Sequence, residues 1–114
     1  MNVYDAAHQL ARSLSESSEY IEFKKAKENL KGDPQAENML KDLRSKQLEI
    51  QALKLSGKPV DEAEEQLGKL YSIISHNSLV KQYLEAEERF ALLFSDIQKI
   101  IMKGIELDIN LEDI

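Results

Sequence analysis

Residues 78–103 read SLVKQYLEAEERFALLFSDIQKIIMK and form the longest stretch of helical periodicity in the chain. A helix over this range extends roughly 39 Å, at about 1.5 Å per residue. Positions along it follow the alternating four- and three-residue spacing of a heptad, but two of them, Glu87 and Gln98, are polar. This favours a helix in a bundle over a long regular coiled coil. Because an unpaired charge on an apolar seam is costly, we expect Glu87 to meet a cation or to lie at an interface edge.

The second half of this helix is apolar on nearly every side. Residues 90–94 are continuously apolar, and Ile97, Ile100, Ile101 and Met102 follow. Such a helix needs neighbours all round, and four shorter helices from one 114-residue chain are too few to surround it. A second copy of the chain supplies the missing neighbours, so we expect a homodimer or higher oligomer with intertwined subunits. The residues predicted to form the interface are Leu84, Phe90, Ala91, Phe94, Ile97 and Ile101.

Outward from this segment, the same apolar spacing predicts four further helices and no strand. Their predicted bounds are residues 3–15, 19–31, 34–56 and 62–75, and an acidic tail of residues 104–114 follows the long helix. The expected fold is therefore all-α: a single domain containing a multi-helical bundle of about five helices, with long antiparallel helices.

Short polar breaks separate the predicted helices. The serines of residues 15–18 can cap the second helix, and Asn77 can cap the fifth. Gly32 suits a left-handed position after a helix, while Asp33 and Pro34 suit an N-cap and a first turn. Gly57 and Pro59 make the next break, and the spacing of Asp61 and Glu64 predicts a capping box.

Composition excludes several classes of protein. The chain has no cysteine, which rules out a disulfide framework, a thiolate zinc site and a cysteine nucleophile. The first ten residues, MNVYDAAHQL, lack the basic and apolar regions of a signal peptide. No apolar run approaches the roughly 20 residues that span a bilayer. We therefore expect a cytoplasmic protein without membrane insertion.

Charge is unevenly distributed along the chain. Residues 1–60 hold ten Lys/Arg and nine Asp/Glu, whereas residues 61–114 hold five and twelve. An acidic second half repels phosphate backbones, so nucleic-acid binding by the whole surface is not expected. A local basic patch remains at Lys24, Lys25, Lys27 and Lys31. Its simplest interpretation is a solvated helix face, and the alternative is an RNA-associated accessory protein that uses the basic face of helices 2 and 3.

Candidate chemical sites are sparse. Asp5 and His8 have the spacing of two metal ligands on one helix face, but a di-iron bundle needs a Glu-x-x-His motif twice with further carboxylates. A surface role for His8 and a local hydrogen-bonding role for His76 are the simpler interpretations. The acidic cluster at 61–65 fits a helix N-terminus. The cluster at 85–88 fits a solvated face, on which we expect Glu85 to pair with Arg89 one turn further along. The glycines are isolated and form no nucleotide-binding pattern. We expect no enzyme activity, no cofactor and no metal.

Across nearly its whole length the chain resembles the YlbF/YmcA family of small helical bacterial proteins. Similarity to the family's C-terminal helix is carried by residues 76–80, 83–87, 92–93, 96–97 and 100–101. The opening residues 3–7, with Leu10 and residues 18–20, are similar to the YheA-like branch. The resemblance implies a dimeric or larger helical assembly. It also implies a non-catalytic regulator that forms complexes with other small proteins influencing competence, sporulation, biofilm formation and RNA processing.

Some complexes of the resembled family carry iron–sulfur clusters through cysteines, and this chain has none to supply. The resulting hypothesis is a homo-oligomeric adaptor or regulator that binds protein chains: itself, other small helical family members or regulatory proteins. RNA association through the basic patch and weak metal-dependent chemistry at Asp5 and His8 are the alternatives.

Overall fold

The computed structural model describes residues 2–105, and these fold into five α-helices. The helices are α1 (Val3–Ser15), α2 (Ser18–Lys31), α3 (Pro34–Leu55), α4 (Asp61–Ile74) and α5 (Ser78–Gly104). Each end lies within one residue of the predicted bound, and the predicted all-α fold is confirmed. The predicted acidic tail lies outside the described residues from position 106 onward.

Three predicted N-caps are present. The Ser17 hydroxyl accepts a hydrogen bond from the backbone N–H of Tyr20, at 3.2 Å. The Asp33 carboxylate accepts from the N–H of Ala36 at 3.2 Å, next to Pro34 in the first turn of α3. The Asn77 side chain accepts from the N–H of Val80 at 3.1 Å. Each bond satisfies a donor that the first turn of a helix leaves unpaired, which fixes where α2, α3 and α5 begin.

Two local predictions were wrong. The expected capping box of Asp61 and Glu64 is absent, because Val60 occupies the N-cap position of α4 and no side chain caps the helix. Asp61 is instead the first residue of α4, where its negative charge interacts favourably with the positive end of the helix dipole. Gly32 is not left-handed (φ −77°), since the turn there closes through ordinary backbone bonds. The left-handed glycine is Gly57, with φ +70°.

The helices form two pairs that meet at one end. α2 and α5 lie antiparallel, as shown by ring contacts between Tyr20 and Phe90 and between Phe23 and Tyr83, each with 5.5 Å between centroids. α3 and α4 form the second pair. The central core lies at the junction of the pairs and takes residues from four helices: Leu30, Ala36, Leu43, Ile74, Val80 and Tyr83.

The resulting shape is extended and thin. The molecule measures 50 × 39 × 17 Å, with a radius of gyration of 18.5 Å. A compact chain of this length has a radius of gyration of about 13 Å. The accessible surface of the chain is 8911 Å², whereas a compact monomer of this mass exposes about 6,300 Å². One copy of the chain therefore leaves much of its surface uncovered by its own helices.

Candidate interaction surface

One apolar stripe runs along the whole of α5, and its two halves have different surroundings. In the first half Val80, Tyr83 and Ala86 are buried. The stripe continues with the same spacing into the second half, which we call the α5 end patch. This patch consists of Phe94, Ile97, Ile101 and Ile105 on the stripe, with Leu92, Ile100 and Met102 beside it.

The α5 end patch is exposed because no helix within residues 2–105 covers it. α2 begins at Ser18 and reaches the level of Phe90, which its Tyr20 contacts. Before Ser18 the chain turns away, and α1 makes no contact with α5. As a result, Ile101 is 49% exposed and Ile100 is 69% exposed. Isoleucine is usually buried, and the first half of this same helix buries its apolar residues.

A second uncovered apolar face lies on α1. Within residues 2–105 this helix contacts only α2 and has no buried residue. Leu10 and Leu14 are half-buried, whereas Val3 and Tyr4 are exposed. On α3 the side chains of Leu48 and Leu55 are also exposed, the latter by 84%. Part of the apolar surface of α3 is thus left unburied by residues 2–105.

The predicted interface residues are placed in two groups. Leu84 packs against the central core, and the Phe90 ring contacts the rings of Tyr20, Phe23 and Phe94. These two side chains are therefore engaged within the chain. The other four lie toward or within the uncovered half of α5, with Ile97 half-buried and three exposed: Ala91, Phe94 and Ile101. The predicted set of interface residues did not include four other exposed apolar residues of this region: Leu92, Ile100, Met102 and Ile105.

Glu87 meets a cation, as predicted from its position on the apolar seam. Its carboxylate forms an ion pair and hydrogen bond with the Arg44 guanidinium of α3. Burial lowers the pKa of Arg44. The hydrogen bond from Arg44 to Glu87 and the negative charge of Glu87 together outweigh the effect of burial, so the pKa of Arg44 is raised. Burial raises the pKa of the Tyr83 phenol, and the charge of Glu87 raises it further. The pair joins α3 to α5 at the edge of the central core.

The ion pair predicted for Arg89 was wrong. Arg89 was expected to bond Glu85 one turn earlier on the same helix, but its guanidinium lies 3.5 Å from the carboxylate of Glu22 on α2. The long side chain reaches across the α2–α5 contact to a carboxylate on the neighbouring helix. Both groups are more than half exposed, so this pair contributes little to stability.

The lysines of the predicted basic patch, Lys24, Lys25, Lys27 and Lys31, are all exposed, but they line different grooves. At roughly 100° per residue, Lys24, Lys27 and Lys31 lie on one side of α2, and Lys25 points away from them. Lys24 and Lys25 line one shallow groove with Tyr20. Lys27 and Lys31 line a different groove, between α2 and α3.

The candidate metal ligands lie apart from other ligand groups. Asp5 and His8 are exposed on α1 and share a shallow depression with Gln9 and Arg12. Among residues 2–105 no three His, Asp or Glu side chains are grouped so that they hold a metal ion. His76 lies exposed in the turn before α5. Over the same range, no helix is sufficiently long and apolar to cross a membrane.

Fold and surface together define a small all-α protein made of two helical pairs with an uncovered apolar end. Residues 3–106 match the family model described as "Control of competence regulator ComK, YlbF/YmcA". The chain therefore belongs to the YlbF/YmcA family, which is a regulatory family and not a known family of enzymes. The predicted family membership is confirmed, while the narrower YheA-like assignment stays a prediction.

Relatives of similar length support this membership. A UPF0342 protein of Symbiobacterium thermophilum is 43% identical over 108 residues, covering 94% of this chain and 96% of the relative. A UPF0342 protein of Halothermothrix orenii is 39% identical over 111 residues, covering 96% and 94%. The fold is similar to that of a protein of unknown function (DUF964) from Bacillus stearothermophilus, with a TM-score of 0.81 at 23% identity, covering 91% of this chain and 92% of that one.

Proposed function

We propose that the protein is a homo-oligomeric regulator that acts by binding protein chains in the bacterial cytosol, and that a second copy of the chain covers the α5 end patch. The observation that carries the proposal is the continuity of the α5 stripe. In the first half, α2 buries the apolar residues of the stripe. At the same spacing, apolar residues follow in the second half, and no helix in the described part of the chain covers them.

Surface area supports a second copy as the occupant. The chain exposes 8911 Å², roughly 2,600 Å² more than a compact monomer of its mass. Permanent homodimers bury about 2,000–5,000 Å² in total, or about half of that per chain. The excess is thus large enough for a stable dimer interface. It also exceeds what one short peptide on the α5 end patch would bury, so a partner with its own extended apolar faces fits better.

The α1 and α3 helices extend this argument. In a symmetric dimer each uncovered face occurs twice, so that faces of one subunit can cover different faces of the other. The exposed side chains Val3 and Tyr4 of α1 and Leu55 of α3 give such a dimer further apolar area. This arrangement would intertwine the subunits, as the sequence predicts.

Family membership supports the regulatory part of the proposal. The family is described by its control of the competence regulator ComK, and direct binding of protein chains is one way to exert such control. In this proposal the dimer is the scaffold, and surfaces outside the dimer interface bind other small helical proteins or regulatory partners.

The first experiment measures mass in solution. Light scattering and sedimentation of the full chain should give about twice the chain mass of 13.0 kDa, or a higher multiple. Ile101→Asp places a charge in the α5 end patch, so it should reduce the mass to that of a monomer while helical content by circular dichroism is kept. A single 13.0 kDa species at all concentrations for the unmodified chain would overturn the proposal.

Gln82→Asp is the matched control for Ile101→Asp. Gln82 is exposed in the first half of the same helix, roughly 28 Å along α5 from Ile101, and its replacement adds the same charge outside the α5 end patch. The control should keep the mass of the unmodified oligomer. If both variants dissociate equally, added negative charge and not loss of the apolar contact explains the effect of Ile101→Asp.

A further inference from the structure

We infer that the groove between α2 and α3 is a binding site for an acidic segment of another protein, one that carries a bulky apolar side chain between its carboxylates. This surface, here called the lysine groove, is separate from the α5 end patch. It holds a volume of about 310 Å³. Its rim is formed by Lys27 and Lys31 of α2 with Glu37 and Lys41 of α3, and its floor is apolar.

The charge of the lysine groove is opposite to that of the chain. Three ammonium groups and one carboxylate form the rim, whereas the chain as a whole has a net charge of −6. Within residues 2–105, Lys27, Lys31 and Lys41 have no carboxylate within 4.0 Å. Other cations of α3 and α4 do have such partners, as at Lys46 with Glu49. The lysine rim is therefore available for carboxylates from another molecule.

The floor of the groove selects a protein segment over a nucleic acid. Leu40 is half-buried and provides the accessible apolar surface, while Leu30 and Tyr83 beneath it are 4% and 8% exposed. A buried ring cannot stack on a base, which is how proteins hold single-stranded RNA. Glu37 on the rim repels phosphates and carboxylates alike, so the groove favours a ligand whose negative charges are spaced apart over one whose charges are continuous. An apolar side chain over the leucines, with carboxylates at the lysines, follows the usual anatomy of a protein interface: an apolar centre within a charged rim.

The lysine groove stays accessible in the proposed dimer. It lies at the junction of the two helical pairs, and Tyr83 is roughly 27 Å along α5 from Ile101 in the α5 end patch. A dimer built on that patch therefore presents two grooves, and a partner with two acidic segments gains from binding both. The inference does not depend on the dimer, since each groove is formed by one chain.

The test uses fluorescence anisotropy with the full chain and a labelled peptide of roughly 12 residues, in which glutamates alternate with serines around one central leucine. Two peptides serve as comparisons, one with every glutamate replaced by glutamine and one with leucine replaced by serine. The acidic peptide should bind about tenfold more tightly than the glutamine peptide at low salt, and its affinity should fall as salt rises. A labelled oligouridine of similar length tests the nucleic-acid alternative.

Variants then locate the binding. Lys27→Glu and Lys41→Glu should each weaken binding of the acidic peptide by about tenfold, because each replaces attraction by repulsion at the rim. Lys25→Glu is the matched control, since Lys25 lies on the same helix but lines other grooves, and it should change affinity by less than about twofold. Circular dichroism and light scattering establish that fold and mass are unchanged in every variant.

Three results would overturn the inference: equal binding of the acidic and glutamine peptides, equal loss in Lys25→Glu and Lys27→Glu, or tighter binding of oligouridine than of the acidic peptide. Each leaves the proposed dimer intact, because mass in solution is measured separately. Conversely, a monomeric chain that binds the acidic peptide through Lys27 and Lys41 would overturn the dimer and support the lysine groove.

Discussion

The two halves of α5 share one helix and one apolar stripe, but only the first half is covered. Val80 is 0% exposed, whereas Ile101, six turns further along the same helix, is 49% exposed. Both halves have a similar apolar sequence, so the difference comes from their neighbours. The first half is surrounded by α2 and the central core, whereas residues 2–105 leave the second half uncovered. Burial in this protein thus depends on which helix lies alongside and not on local hydrophobicity.

The sharpest way to test this comparison is to place the same charge in each half. Val80→Asp buries an unpaired carboxylate in the central core, which costs several kcal/mol, a large part of the roughly 5–15 kcal/mol that stabilises a domain. We expect most helical content to be lost by circular dichroism at 25 °C. Ile101→Asp should keep it. Equal helical content in the two variants would mean that the first half of α5 is not the more buried half.

The boundary between the halves falls between two phenylalanines. In a monomeric Ile101→Asp background, Phe90→Ala should cost about 2–3 kcal/mol, because the Phe90 ring packs between Tyr20 and Phe23. Phe94→Ala should cost under about 1 kcal/mol in the same background, since no aromatic ring other than Phe90 lies against it among residues 2–105. Urea unfolding curves measure both values. Similar costs would move the boundary toward the end of α5.

Amide hydrogen exchange compares the two halves without mutation. Backbone amides in the second half of α5 should exchange at least about tenfold faster than those near Val80 when the protein is dilute enough to dissociate, because tertiary packing protects only the first half. Raising the protein concentration should slow exchange in the second half and leave the first unchanged. Concentration-independent exchange in the second half would contradict coverage by a second copy.

The smallest expected effect concerns Tyr83, in the covered half. Its pKa in the folded chain is raised by burial and by Glu87 above the value near 10 of an unfolded chain. The folded state therefore favours the neutral phenol, and the stability linked to Tyr83 is complete below about pH 10 and decreases as pH rises toward the folded pKa. The melting temperature of the unmodified chain should fall more steeply above about pH 10 than that of Tyr83→Phe. Parallel curves for the two proteins would show that folding does not raise the pKa of Tyr83.

Sequence reasoning located the helices and most of their caps, because these depend on contacts between residues a few positions apart. Ser17, Asp33 and Asn77 cap as predicted, and Glu87 meets a cation. The predictions failed where a side chain had a second possible partner or position close by. The capping box at Asp61 did not form, and Arg89 bonded a carboxylate on another helix instead of one on its own.

The candidate surfaces were only partly predictable for a similar reason. Leu84 and Phe90 have the same sequence signal as Phe94 and Ile101, and nothing in the spacing shows which pair α2 covers. The four lysines of α2 lie within eight residues of one another in the sequence but line different grooves. Lys41 joins Lys27 and Lys31 only because α3 folds back beside α2, a contact that no pattern within either helix contains.

The sequence by itself determined the five helices of residues 2–105, the position of each end to within one residue, and the apolar character of both halves of the last long helix. Only the tertiary structure decided which part of that helix remains uncovered and where the lysines converge. Helix formation depends on hydrogen bonds and caps within a few residues, whereas coverage depends on the direction that α1 and α2 take in space. A turn of two residues, Glu16 and Ser17, sets that direction.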